Sequence, residues 1–97
     1  MKLEYRKLSD SELKEGLSSL SGWSIENDQI RREFEFDCYQ KGLVFATAVG
    51  YLADKMDHHP DITIGYQKVT VRVNTHSVCG LSPYDLELAR RINDRLS

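Results

Sequence analysis

Residues 62–76 read Ile-Thr-Ile-Gly-Tyr-Gln-Lys-Val-Thr-Val-Arg-Val-Asn-Thr-His, and this stretch decides the fold. Ile62, Ile64 and Tyr66 alternate with other residues; Val69, Val71, Val73 and Thr75 then repeat the pattern. That period of two is the mark of strands with one buried face. Gln67-Lys68 lies between the runs, so they read as a hairpin. In its second arm the valines take the core face. Lys68, Thr70, Arg72, Asn74 and, if the strand extends that far, His76 take the opposite face.

A second hairpin lies upstream. Trp23 to Glu26 and Ile30 to Phe36 flank the turn-forming pair Asn27-Asp28. Ile30, Arg32, Phe34 and Phe36 share one parity, with Arg32 the exception on an apolar face, and Trp23 reads as core or as a lid over the first helix. Three helix starts complete the chain. Ser9-Asp10-Ser11-Glu12 is a capping box and predicts a helix from about Asp10 to Ser19, ended by Gly22. Asp37-Cys38-Tyr39-Gln40 is a weaker box before residues 39–56, a run apolar nearly all round and so buried on more than one side. Gly42 and Gly50 within it would let another backbone approach closely. Ser82-Pro83-Tyr84-Asp85 combines a serine cap, proline at the first helical position and an acid at the third.

The order is helix, two strands, long helix, two strands, helix. This predicts an α+β fold: a four-stranded antiparallel sheet with three helices packed on one face, with residues 1–97 as a single domain. The net charge of −2 and scattered basic residues argue against nucleic acid or an anionic membrane as partner. No apolar run approaches the ~18 residues of a membrane span. The polar, charged opening from Met1 to Asp10 lacks a secretory signal, and neither Cys38 nor Cys79 belongs to a C-x-x-C pair. A cytoplasmic setting with free thiols is expected.

All three histidines fall between positions 58 and 76, as His58-His59 before Pro60 and His76 after the last strand. Histidine titrates near neutrality and suits proton transfer at cellular pH. Pro60 steers His59 out of helical geometry. A hairpin of the last two strands brings both histidine positions to one end of the sheet. A bland reading remains for each. His58 and His59 fit a polar loop capping a helix C-terminus, and His76 fits an exposed strand end. Asp85 has a sufficient task as a cap, and Asp54 and Asp57 could be solvated carboxylates that also orient the imidazoles. A metal site is weakly supported, because no i, i+4 histidine pair or Cys/His ligand spacing is present. Cys79 near His76 raises a Cys/His nucleophile, though nothing marks the thiol as activated.

The run Asp54-Lys55-Met56-Asp57-His58-His59-Pro60, then Tyr66, Thr75-His76, Gly80-Leu81-Ser82 and Asp85, resembles the signature of pterin-4a-carbinolamine dehydratases. Gly22-Trp23 after the first helix and the aromatic-rich segment before the long helix agree with it. The sequence departs from the pattern at Asp54, where glutamate is frequent, and at Ile62, where an aromatic often stands. The resemblance implies dehydration of 4a-hydroxytetrahydrobiopterin to quinonoid dihydropterin, in tetrahydrobiopterin recycling beside an aromatic amino acid hydroxylase. It implies His58, His59 and His76 as acid–base catalysts, without assigning which is acid and which base. Asp57, His58, His59, Asn74, Thr75, His76 and Ser77 would bind the pterin. Asp85 would hold His76, and Asp54 the adjacent pair. No metal or cofactor is implied. Assembly as a homodimer or homotetramer through sheet edges and the long helix is. The alternatives are a non-catalytic pterin-binding module, a transcription-factor dimerisation module and a small metal chaperone.

Overall fold

Ser9 begins the first helix, α1 (Asp10–Ser18), and its capping box closes in both directions: the Glu12 amide donates to Ser9 Oγ, and the Ser9 amide donates to Glu12 Oε1. The computed structural model describes residues 3–96. After α1 follow β1 (Ser24–Glu26), β2 (Gln29–Glu35), α2 (Tyr39–Met56), β3 (Asp61–Ile64), β4 (Lys68–Val73), a 3-10 turn (His76–Val78) and α3 (Pro83–Leu96). The strands form one antiparallel sheet in the order β1-β2-β4-β3, with the helices packed on one face.

Register sorts the side chains as the alternation predicts. Ile30 faces Val73, Phe34 faces Val69, and Ile62 and Arg32 both face Val71 on the helix-covered side. Ile30 and the three valines are essentially inaccessible to solvent. The other face carries Arg31, Glu33, Lys68 and Arg72, joined to one another and to Glu26 by partly exposed ion pairs of 3.6–3.8 Å. Such pairs contribute little stability individually.

Arg32, the exception in the apolar parity, is accommodated rather than excluded. Its guanidinium lies 4.4 Å from the centroid of Phe34 and donates to Asn93 Oδ1 at 2.6 Å. Trp23 is buried, and its indole N–H donates to the same oxygen at 2.8 Å. Asn93 thus ties the sheet and the loop after α1 to α3. Gly22, at φ +86°, makes that loop possible: a Cβ there would lie 2.4 Å from Arg32 Nε.

Three local expectations are corrected. The second capping box does not form. Cys38 starts α2 without a side-chain cap, and Asp37 instead pairs with Lys41, one turn into the helix. Gly42 does meet a close neighbour, since a Cβ there would lie 3.3 Å from Val69 Cγ2, but Gly50 faces open space. The fourth strand stops at Val73. Thr75 makes an isolated bridge to Gly80, and His76 enters the 3-10 turn, so sheet pleating does not set the direction of His76. Among the described residues, no helix is long and apolar enough to cross a membrane.

Candidate active site

Two backbone turns bring the site together. At the end of α2, Asp57 adopts a left-handed conformation (φ 51°, ψ 42°). The His58 amide donates to Ala53 O and the Asp57 amide to Asp54 O, both at 3.1 Å. This is the paired hydrogen-bond pattern that closes many helices, usually around glycine. Asp57, ahead of Pro60, therefore ends α2 and throws His58 inward. At the other turn, the Thr75–Gly80 bridge folds the chain back, so that the start of α3 faces the end of α2.

A buried network spans these turns. Asp85 is wholly inaccessible and uses both carboxylate oxygens. Oδ1 accepts from His58 Nε2 at 2.6 Å. Oδ2 accepts from the Thr75 hydroxyl and from the Ser82 amide, each at 2.8 Å. Thr75 and Ser82 also join their hydroxyls at 2.7 Å. A carboxylate removed from water must find such partners or incur a heavy desolvation cost. The cap and the histidine tether are thus one structure: Asp85 closes the first turn of α3 with one oxygen and holds His58 with the other. The expected partner was His76, and that is corrected here. His76 is exposed and starts the 3-10 turn, whereas His58 is 7% accessible and bonded to Asp85. With Nε2 of His58 committed, Nδ1 is the nitrogen left for other contacts.

His59 differs. Its Nε2 pairs with Asp54 Oδ1 at 3.1 Å, and both side chains are largely exposed (58% and 79%). Asp54 holds this one histidine of the pair.

An open cleft of about 300 Å³ lies where the two turns meet. Asp57, His58 and His59 line one side; Asn74, Thr75, His76 and Ser77 line the other. All seven residues singled out for ligand binding thus surround one space. Asp54 and Asp85 do not line it but bond His59 and His58, which do. Ile62 takes no part; it packs against the core opposite Val71. An eighth residue, Tyr5, also lines the cleft and was not anticipated. It sits in a polar N-terminal segment with no periodic pattern, and its ring stacks on Tyr84 at 4.0 Å and 12°. Partial burial, followed by its neighbours Tyr84 and Asp57, raises the Tyr5 phenol above its ordinary pKa. A larger groove of about 510 Å³ lies between the N-terminal segment, α1 and α3, but it holds no histidine, and its Arg6 and Glu12 are already paired. Among the described residues, no three His, Cys, Asp or Glu side chains are grouped to hold a metal ion.

The model of the pterin 4 alpha carbinolamine dehydratase family matches residues 6–95. The chain belongs to this family. A family protein from Sulfolobus acidocaldarius is 38% identical over 87 residues, covering 90% of this chain and 96% of that one. One from Halobacterium salinarum is 47% identical over 73 residues, 75% and 80% of the two chains. The crystal structure of a transcriptional coactivator/pterin dehydratase from Brucella melitensis superposes with a TM-score of 0.85 at 33% identity, covering 91% of this chain and 96% of that one. A pterin dehydratase-like protein identified as a RuBisCO assembly factor in the alpha-carboxysome shares the fold, with a TM-score of 0.60 at 19% identity over 74% of this chain and 83% of its own.

Proposed function

We propose that the chain dehydrates a 4a-hydroxytetrahydropterin, with 4a-hydroxytetrahydrobiopterin as substrate, to quinonoid dihydropterin and water. The observation that carries this reading is the convergence of three imidazoles on one open cleft, one of them buried and fixed by Asp85. Hydroxide is a poor leaving group. As the C4a–O bond breaks, an imidazolium gives its proton to the departing oxygen, which leaves as water. A neutral imidazole takes the proton from N5, and the freed electron pair forms the C4a–N5 double bond. One ring ends a proton short and another a proton richer, and exchange with solvent restores both. Each well-placed transfer contributes about 10²–10⁴-fold. His58, His59 and His76 share these roles. Asp57, Asn74, Thr75 and Ser77 form the walls, with backbone groups of residues 74–77 reading the ring edge.

A second reading has its own observation. On α2, Tyr39, Leu43, Val44 and Tyr51 are exposed large apolar side chains, and the Brucella relative is described as a transcriptional coactivator as well as a dehydratase. In this reading the chain is a binding and dimerisation module. These exposed apolar side chains fit a homodimer or homotetramer under either reading. The decay of carbinolamine absorbance, followed with and without the purified chain, separates the two. Dehydration well above the uncatalysed rate supports catalysis; an unchanged rate favours the binding module.

A further inference from the structure

Tyr5 belongs to no helix or strand, yet its position is built. Leu8 is buried, and its amide donates to Leu81 O at 2.7 Å, pinning the N-terminal segment beside the start of α3. The Arg6 guanidinium grips both oxygens of Glu12, at 3.1 and 2.8 Å. Between these anchors and the cleft, Tyr5 lies parallel to Tyr84, which Pro83 places in the first turn of α3. The His58 ring is 5.5 Å from that of Tyr84 and 6.3 Å from that of Tyr5.

The other residues around the cleft present imidazole, carboxylate, amide and hydroxyl groups. These can read the edge of a flat heterocycle, but they offer little to its face. Tyr5 is the one carbocyclic ring among them, and it is 53% exposed, with area still to bury. Aromatic faces attract one another through burial and offset stacking. We infer that Tyr5 is a ligand-binding residue whose ring, backed by Tyr84, forms the aromatic wall of the cleft against which a flat heterocycle lies. The inference rests on the pterin reading above and adds to it a residue supplied by the N-terminal segment.

The test is calorimetric titration with 7,8-dihydrobiopterin, which lacks the 4a-hydroxyl, on the unaltered chain and on Tyr5→Phe, Tyr5→Leu and Tyr5→Ala. Leucine keeps apolar bulk without a π face. Losing one aromatic contact should weaken binding about tenfold in the Leu and Ala variants, with Phe within about twofold of the unaltered chain. In turnover, the loss should fall on KM more than on kcat. Unaltered affinity in Tyr5→Ala or Tyr5→Leu overturns the inference alone. So does a Tyr5→Phe variant as weak as Tyr5→Ala, which would place the effect in the hydroxyl. Absence of binding by the unaltered chain overturns the pterin reading and the inference with it.

Discussion

His58 and His59 are neighbours in sequence and opposites in environment. His58 is buried against a carboxylate that has no contact with solvent, at 2.6 Å. His59 is exposed, against an exposed carboxylate, at 3.1 Å. One residue of chain separates a rigid, fully satisfied network from a loose surface pair. The difference originates at the turn after α2, where the left-handed backbone of Asp57 ends the helix and His58 turns to the buried Asp85 while His59 stays at the surface. The turn thus carries one imidazole whose position the fold enforces and another that is held only at the surface.

The contrast can be broken most forcefully at Asp85. Asp85→Ala leaves the His58 N–H, the Thr75 hydroxyl and the Ser82 amide without their acceptor, and removes the α3 cap. Leaving such groups buried and unpaired should cost roughly 3–5 kcal/mol, read as a lower urea midpoint. A loss below about 1 kcal/mol would show that the network is not the rigid half of the pair. His58→Ala should lower dehydration about 10²-fold or more, through loss of a positioned proton-transfer group. At the loose end, Asp54→Ala should change stability by less than about 1 kcal/mol, as expected for an exposed ion pair. An effect of Asp54→Ala on the urea midpoint equal to that of Asp85→Ala would erase the distinction.

The smallest effect concerns pH and lies away from the site. The guanidinium of Arg90, with that of Arg91, holds the Glu87 carboxyl down to about 2. Arg6 and the Ser9 amide hold Glu12 to about 2 as well. A carboxyl lowered in the folded state stabilises above its unfolded pKa, near 4.5, and loses that contribution as pH falls towards 2. The urea midpoint should therefore drop between about pH 6 and about pH 3, and Glu87→Gln should shrink the drop. An equal drop in the variant would remove Glu87 from the account.

Much of the frame was legible because it rests on local, periodic signals. The alternation of Val69, Val71 and Val73 placed the core face, and Ser9 with Glu12 placed the start of α1. The histidine spacing and the family resemblance marked the residues that surround the cleft. What escaped was long-range or conformational. Whether Asp85 reaches His58 or His76 depends on how the Thr75–Gly80 bridge folds, and residue spacing carries no record of that. Arg32 looked misplaced because its acceptor, Asn93, lies on a helix far along the chain. Asp57 carries no glycine-like mark of its left-handed turn. Tyr5 sits in a polar segment with no pattern at all, and only Tyr84 and the Leu8–Leu81 hydrogen bond show why it belongs to the cleft.

The central claim is that the imidazoles gathered on this cleft carry the proton transfers of dehydration. Its most direct test is the rate of carbinolamine decay with the unaltered chain and with the His59→Ala/His76→Ala double variant, which leaves the buried His58–Asp85 network and the fold in place. The account predicts rapid decay with the unaltered chain and a loss of at least about 10²-fold in the double variant. Near-normal turnover by a folded double variant would contradict it.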